Sequence, residues 1–333
     1  MGGKLFELGR VSQPEYLEIE KELIAYLENK FPTEGETPKF RIPRFYSSKP
    51  DFGDVDILLS SSVTTDWPKL REEIAQDLGV TNYKTKGDLS MVYKDKIQVD
   101  VMVFPDEYMD ATWQFLCYND LGNLLGKHYR RFNLKYGEKG LFYVYRRDDG
   151  NYKKDILLTR DMKKILGFLE LSYDEWNRGF ETLEDMFEWV IACKYFTAQP
   201  FIKLTATTNK RVKLRTTMRK FVEYIAANQV EKAFDFKERD EYLPMIMNYF
   251  SDVPLQDLLD AEKVKEERDE IIKKKFNGSL VMKKFPELKG PRLGTFLKQF
   301  KAQYDDFDEA ILGMSDDEVN VALDSFYASG SYQ

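Results

Sequence analysis

Apolar positions in the first half of the chain alternate between two periods. PEYLEIEKELIAYLENKF (14–31) repeats with helical spacing, with Pro14 near its start, and predicts a helix. KFRIPRFY (39–46), DVDILLSS (54–61), LSMVYK (89–94) and IQVDVMVF (97–104) read as strands. WPKLREEIAQDLG (67–79), between the second and third of these, predicts a helix that ends at a C-cap glycine, Gly79. Beyond Phe104-Pro105 a helical stretch runs through residue 131. GLFYVYRR (140–147) and KKDILLTR (153–160) then predict a hairpin across Asp148-Asp149-Gly150-Asn151. From about residue 160 the pattern is almost entirely helical: DMKKILGFLEL, ETLEDMFEWVIACKYF, the basic 210–228 segment and the charged 256–275 segment. The second half therefore reads as a separate α domain, with no internal repeat or low-complexity segment.

The chain has 333 residues, 43% hydrophobic and 32% charged, enough to bury cores in two or three domains. No apolar run approaches the roughly 20 residues that cross a bilayer, and the start, MGGKLFELGR, lacks the apolar core of a secretory signal. No membrane partner is expected. Cys117 and Cys193 are too few for a disulfide framework or a structural zinc site and fit a reducing, cytoplasmic location. A lone His128 rules out His-rich metal sites and argues against a Ser-His-Asp triad. The net charge of −7 argues, for the whole chain, against a nucleic-acid binder. Its distribution changes that picture: residues 203–220 carry seven Lys or Arg and no acid, and residues 273–301 carry nine basic residues against Glu287.

The candidate chemistry lies in FGDVDILL. Strand alternation sends Asp54 and Asp56 to one face, and Asp100 sits in the middle of the apolar run IQVDVMVF. A single Asp of this kind is usually a cap, a turn residue or the partner of a Lys or Arg. The three together are a rarer pattern. On neighbouring strands they converge, and three ionised carboxylates repel strongly unless cations neutralise them. Oxygen-only ligands favour Mg²⁺ or Mn²⁺, and two such ions about 3.5–4 Å apart are the usual clamp for in-line phosphoryl chemistry. One would activate an attacking hydroxyl and the other would hold a triphosphate, so the reaction class is nucleotidyl transfer.

FGDVDILL with IQVDVMVF resembles the catalytic motif of the polymerase β nucleotidyltransferase superfamily, most nearly that of family X DNA polymerases, over roughly residues 8–178. The resemblance implies an α+β fold: a nucleotidyltransferase palm with a small mixed sheet (1–110), a nucleotide- and base-contacting subdomain (111–178) and an α-helical, nucleic-acid-binding C-terminal domain (179–333). It makes Asp54, Asp56 and Asp100 the catalytic, metal-binding aspartates. GRVSQPEY is similar to the segment that delivers an arginine, here Arg10, to the triphosphate. In the stretch after Asp100 the sugar-contacting turn falls on Phe115-Leu116-Cys117-Tyr118, the base contacts on Asp120 and Asn123, and the following helix carries Lys127. The later GEKGLFYVYRR…LSYDEW is similar to the family's terminal subdomain. Two departures stand out. The family's Gly-Ser phosphate grip is replaced by Pro43-Arg44, and proline has no N–H to donate; Arg44, Ser47, Ser48 or Lys49 would substitute. The turn FLCY lacks the family's glycine, which leaves the choice of ribose or deoxyribose open.

NGSLVMKKFPELKGPRLGTFLKQF (277–300) is similar to a segment near the C-terminus of bacterial-type CCA-adding enzymes and poly(A) polymerases. There Lys289, Gly290 and Arg292 could meet an RNA phosphate at a tight turn before a helix. Alternatively, Gly290-Pro291 simply separates two helices. Lys210, Arg211, Lys213 and Arg215 could track a phosphate backbone or form a solvated face. Aromatics at helical spacing, such as Phe187 and Phe221, read as core before base-stacking platform. The expected substrates are a nucleoside triphosphate and a nucleic acid with a free 3′ end. The tail segment, and the lack of a DNA-anchoring domain before Arg10, favour RNA, with tRNA among the candidates, over DNA. The competing expectations are a gap-filling DNA polymerase, a nucleotidyltransferase-fold protein that modifies a protein or small molecule, and a non-catalytic binder.

Overall fold

The computed structural model describes residues 5–33, 38–147, 150–202 and 215–332. The chain forms two compact units, Met1–Val253 and Pro254–Gln333. Residues 179–253 thus belong to the unit that holds the sheets, and position 178 lies inside it.

The period-two runs of the first unit become β1 (Val11–Ser12), β2 (Phe40–Arg41), β3 (Asp51–Phe52), β4 (Asp54–Ser60), β5 (Tyr83–Lys84), β6 (Leu89–Tyr93) and β7 (Ile97–Phe104). β1 and β3 make a short antiparallel ribbon. The other five form one mixed sheet in the order β2-β4-β7-β6-β5, in which β4 and β7 are parallel and the remaining pairs antiparallel. Helices α1 (Gln13–Lys30) and α2 (Trp67–Asp77) share a core with one face of this sheet. Leu23, Leu27, Leu70 and Ile74 join Val55, Ile57, Leu59, Val99 and Val101 in it. Alternation then commits the even-numbered residues of β4 and β7 to the opposite face.

Only Phe40–Arg41 of the run KFRIPRFY is strand. Pro43 cannot donate to a ladder, and the segment beyond it bonds to other parts of the unit: Arg44 O accepts from Tyr118 N–H at 2.7 Å, and Ser47 N–H donates to Phe180 O at 2.9 Å. The helical stretch expected through residue 131 is divided into α3 (Asp106–Leu116) and α4 (Leu121–Tyr129). Between them Tyr118 and Asn119 both adopt left-handed backbone, φ 60° and 61°, an unfavourable choice for non-glycine residues. Burial of Tyr118 and its hydroxyl bond to Trp176 O (3.0 Å) hold the turn in place.

The expected hairpin forms from β9 (Gly140–Arg146) and β10 (Tyr152–Thr159), extended by β8 (Leu134–Gly137) into a three-stranded antiparallel sheet. Asp148 and Asp149 of its turn lie outside the described residues. Helices α5 (Met162–Phe168), α6 (Tyr173–Arg178) and α7 (Leu183–Ala192) follow, the last opened by a capping box between Thr182 and Asp185. Phe187 and Phe221 are both 1% exposed or less, as core rather than platform requires. The second unit is helical, including Leu255–Lys275 and Pro291–Lys301, around Phe276, Phe285, Phe296, Phe300 and Phe326.

His128 of α4 makes a testable imprint on stability. It is buried beside the rings of Phe196 and Phe201 (5.4 and 5.7 Å); Nδ1 meets Leu124 O at 3.2 Å and Nε2 has no partner. Burial pushes its pKa down to about 4. An unfolded histidine titrates near 6.5, so between these values the unfolded chain holds a proton that the folded one lacks, and stability falls as pH falls. The expected loss is about 3 kcal/mol by pH 4. Denaturant titrations at about pH 7.5 and about pH 4.5 should show a smaller loss in His128→Leu, which cannot take up the proton.

Candidate metal centre

The register of two strands assembles the site. In the parallel β4–β7 pair Asp56 lies beside Asp100 and Asp54 beside Gln98, all on the face turned away from the α1–α2 core. One oxygen each of Asp54, Asp56 and Asp100 lies within 4.8 Å of the others, the one such acidic group among the described residues. Asp100 Oδ2 accepts from Gln98 Nε2 at 2.7 Å, whereas its Oδ1 is buried with no partner. A buried, orphaned carboxylate oxygen inside a set of three oxygen donors fits a hard divalent cation.

The electrostatics fit a cation too. Burial, then the charges of Asp54 and Asp100, push Asp56 up to about 7. Burial also raises Asp54, Asp100 adds to the rise, and Lys49 and Arg10 oppose it. Burial pushes Lys49 down to about 8 against the pull of Asp54. A dication among the carboxylates would reverse the penalty on their charged forms.

Around this centre the expected nucleotide residues divide. Arg10 is tied to Asp51 beside the β1–β3 ribbon, Nε to Oδ1 at 2.7 Å and a terminal nitrogen to the carbonyl at 2.9 Å. Lys49 Nζ sits 4.1 Å above the Phe52 ring and donates to Asn119 Oδ1 at 3.2 Å. Both charges act on Asp54. The N–H groups of Ser47 and Ser48 are spent on Phe180 O and Glu181 O, at 2.9 and 2.8 Å. Arg44 donates to Asn177 O at 2.7 Å, with its guanidinium 5.0 Å from the Trp113 ring centroid. Asp120 accepts from Arg215 at 2.6 Å and from Asn123 Nδ2 at 3.3 Å, which gathers those three.

Lys127 is engaged elsewhere: Nζ donates to Pro200 O at 3.0 Å over the Phe201 ring, and burial pushes it down to about 8. Lys289, Gly290 and Arg292 are exposed in the second unit, where Gly290 (φ 55°) caps the helix Pro291–Lys301. Lys210, Arg211 and Lys213 lie outside the described residues.

Sequence reasoning missed Gln98. The signal was there: a polar residue two positions before Asp100 shares its strand face. Its amide fixes Asp100 Oδ2, and its Oε1 accepts in turn from Leu5 N–H at 3.2 Å. Gln98→Leu keeps the bulk and removes the donor. We expect it to raise the Mg²⁺ or Mn²⁺ concentration needed for half-maximal thermal stabilisation by about 10- to 100-fold, the usual effect of removing a partner that orients a metal ligand. Melting curves across a metal titration check this, and an unchanged midpoint would refute it.

No protein-family model matches the chain, and no curated protein matches its sequence.

Proposed function

We propose that the chain is a metal-dependent nucleotidyltransferase with a polymerase β-type palm, which adds nucleoside monophosphates to a nucleic-acid 3′ end and releases pyrophosphate. The observation that carries this reading is the register match of Asp56 with Asp100, next to Asp54, around the partnerless Asp100 Oδ1. Asp54, Asp56 and Asp100 would hold two Mg²⁺ (or Mn²⁺) ions, which would supply Lewis-acid activation of the hydroxyl and neutralise developing phosphate charge. The 3′ oxygen attacks the α-phosphorus and the bond to the pyrophosphate oxygen breaks. Asp100 helps take the hydroxyl proton, Arg10 and Lys49 offset the triphosphate charge, and the Asp120–Asn123 turn meets base or sugar. RNA is the favoured acceptor; the exposed Lys289 and Arg292 beside the Gly290 turn support it.

The test offers the purified protein with Mg²⁺ and labelled NTPs or dNTPs to three acceptors: a tRNA lacking its 3′ end, a single-stranded RNA and a gapped DNA. Incorporation into RNA is expected. Templated extension of the gapped duplex alone would replace RNA by DNA, and no incorporation anywhere would defeat the reading.

A further inference from the structure

Pro43 to Lys49 is where a triphosphate needs donors, and its backbone has few to give. Pro43 has no N–H. Those of Arg44, Ser47, Ser48 and Lys49 go to Cys117 Sγ (3.4 Å), Phe180 O (2.9 Å), Glu181 O (2.8 Å) and Tyr46 O (3.0 Å). With four of the six N–H groups from Arg44 to Lys49 so occupied, a phosphate bound here is met largely by side chains.

A cleft of about 490 Å³ opens along the same segment, with Pro43, Arg44, Phe45 and Ser47 on its lining and Arg178 opposite them in sequence, at the end of α6. Two arginines therefore line it. Arg44 is anchored by Asn177 O and by the rings of Trp113 and Trp176, at 5.0 and 6.0 Å, so little freedom remains to be lost on binding. Arg178 is exposed and has no partner among the described residues. The one acid of the lining among the described residues, Glu20, accepts from Tyr16 OH at 3.1 Å; burial raises its pKa and that hydrogen bond opposes the rise. Phe45 links the cleft to the metal centre: it is on the lining, and its ring lies 5.8 Å from Lys49 Nζ, whose charge acts on both Asp54 and Asp56.

We propose that Arg178, together with Arg44, binds the terminal phosphates of the incoming nucleoside triphosphate in this cleft, a side-chain grip in place of a backbone one. The identity of the anion rests on the nucleotidyltransferase reading; the cleft's affinity for a polyphosphate does not. Each planar fork can meet two phosphate oxygens at once, whereas an ammonium would act only as a point charge.

The test titrates inorganic tripolyphosphate with Mg²⁺ into wild type, Arg178→Gln and Arg178→Lys, and follows incorporation in parallel. Arg178→Gln should bind at least about tenfold more weakly, as expected for loss of a charged hydrogen bond, and Arg178→Lys should recover part of that loss. The KM for the nucleotide should rise by a similar factor, with kcat within about twofold. Unchanged tripolyphosphate binding in Arg178→Gln, or none in wild type, overturns the proposal, and continued incorporation would then leave the nucleotidyltransferase reading standing. Arg178-dependent binding without incorporation into any acceptor would do the reverse: the anion cleft would stand and nucleotidyl transfer would fall.

Discussion

If the chain transfers nucleotides as proposed, Asp100→Asn should lower metal-dependent incorporation by at least about 10³-fold, or roughly 4 kcal/mol of barrier, and leave the fold intact. Asn matches Asp in shape, and its carbonyl can still accept from Gln98 Nε2, so the β4–β7 and β6–β7 pairings lose nothing. What disappears is the charge on the oxygen that has no partner. A cation held by the three carboxylates would lose a third of the formal negative charge around it, and on the proposed mechanism the hydroxyl would lose its proton acceptor; metal-assisted chemistry supplies several kcal/mol of transition-state stabilisation. Single-turnover incorporation measures the effect, with circular dichroism and melting as the check on folding. Activity within tenfold of wild type would remove Asp100 from the metal centre.

Asp56→Asn should raise stability. Its carboxyl is raised from 3.8 to about 7, by burial first and then by Asp54 and Asp100. Without metal, the folded protein therefore binds a proton that the unfolded chain releases, so stability is full below about pH 4 and is lost as pH rises through 7. The penalty at pH 8 is on the order of 4 kcal/mol. Replacing the carboxyl by an amide removes it, so metal-free Asp56→Asn melts higher than wild type at pH 8 and about level with it at pH 4. Millimolar Mg²⁺ raises the melting temperature of wild type more at pH 8 than at pH 5, and has little effect on the variant. A variant that is less stable than wild type at pH 8 would show that this position carries no charge penalty.

Legibility from sequence followed the range of the interactions. IQVDVMVF is strand from Ile97 to Phe104 as its pattern predicts, and the helix expected over 14–31 is found over 13–30, because both depend on local periodicity. The three aspartates were readable because strand alternation fixes which residues share a face. β8 was not, since four residues of LKYG carry almost no periodic signal and β9 supplies the pairing. Periodicity hid the break at Tyr118-Asn119, because no glycine marks the left-handed turn, whereas the family resemblance put a turn at Phe115–Tyr118; contacts with Arg44 and Trp176, distant in sequence, impose it. KFRIPRFY failed as a strand for the same reason, its partners being Phe180 and Glu181 rather than a neighbouring strand. Arg178 was silent because an exposed arginine at a helix end looks like any other until the cleft beside it is seen.

The parallel β4–β7 pair also sets a clock. Two of the aspartates and the third come from strands that no hairpin joins, with α2, β5 and β6 between them, and parallel, non-local pairing is slow to form because loop closure precedes any reward. A collapsed chain that has formed α1 and α2 but not this pairing has no cation site. Affinity for a metal at this site would therefore arrive late in refolding and abruptly, and Mn²⁺ uptake would mark the moment at which the middle of the sheet closes.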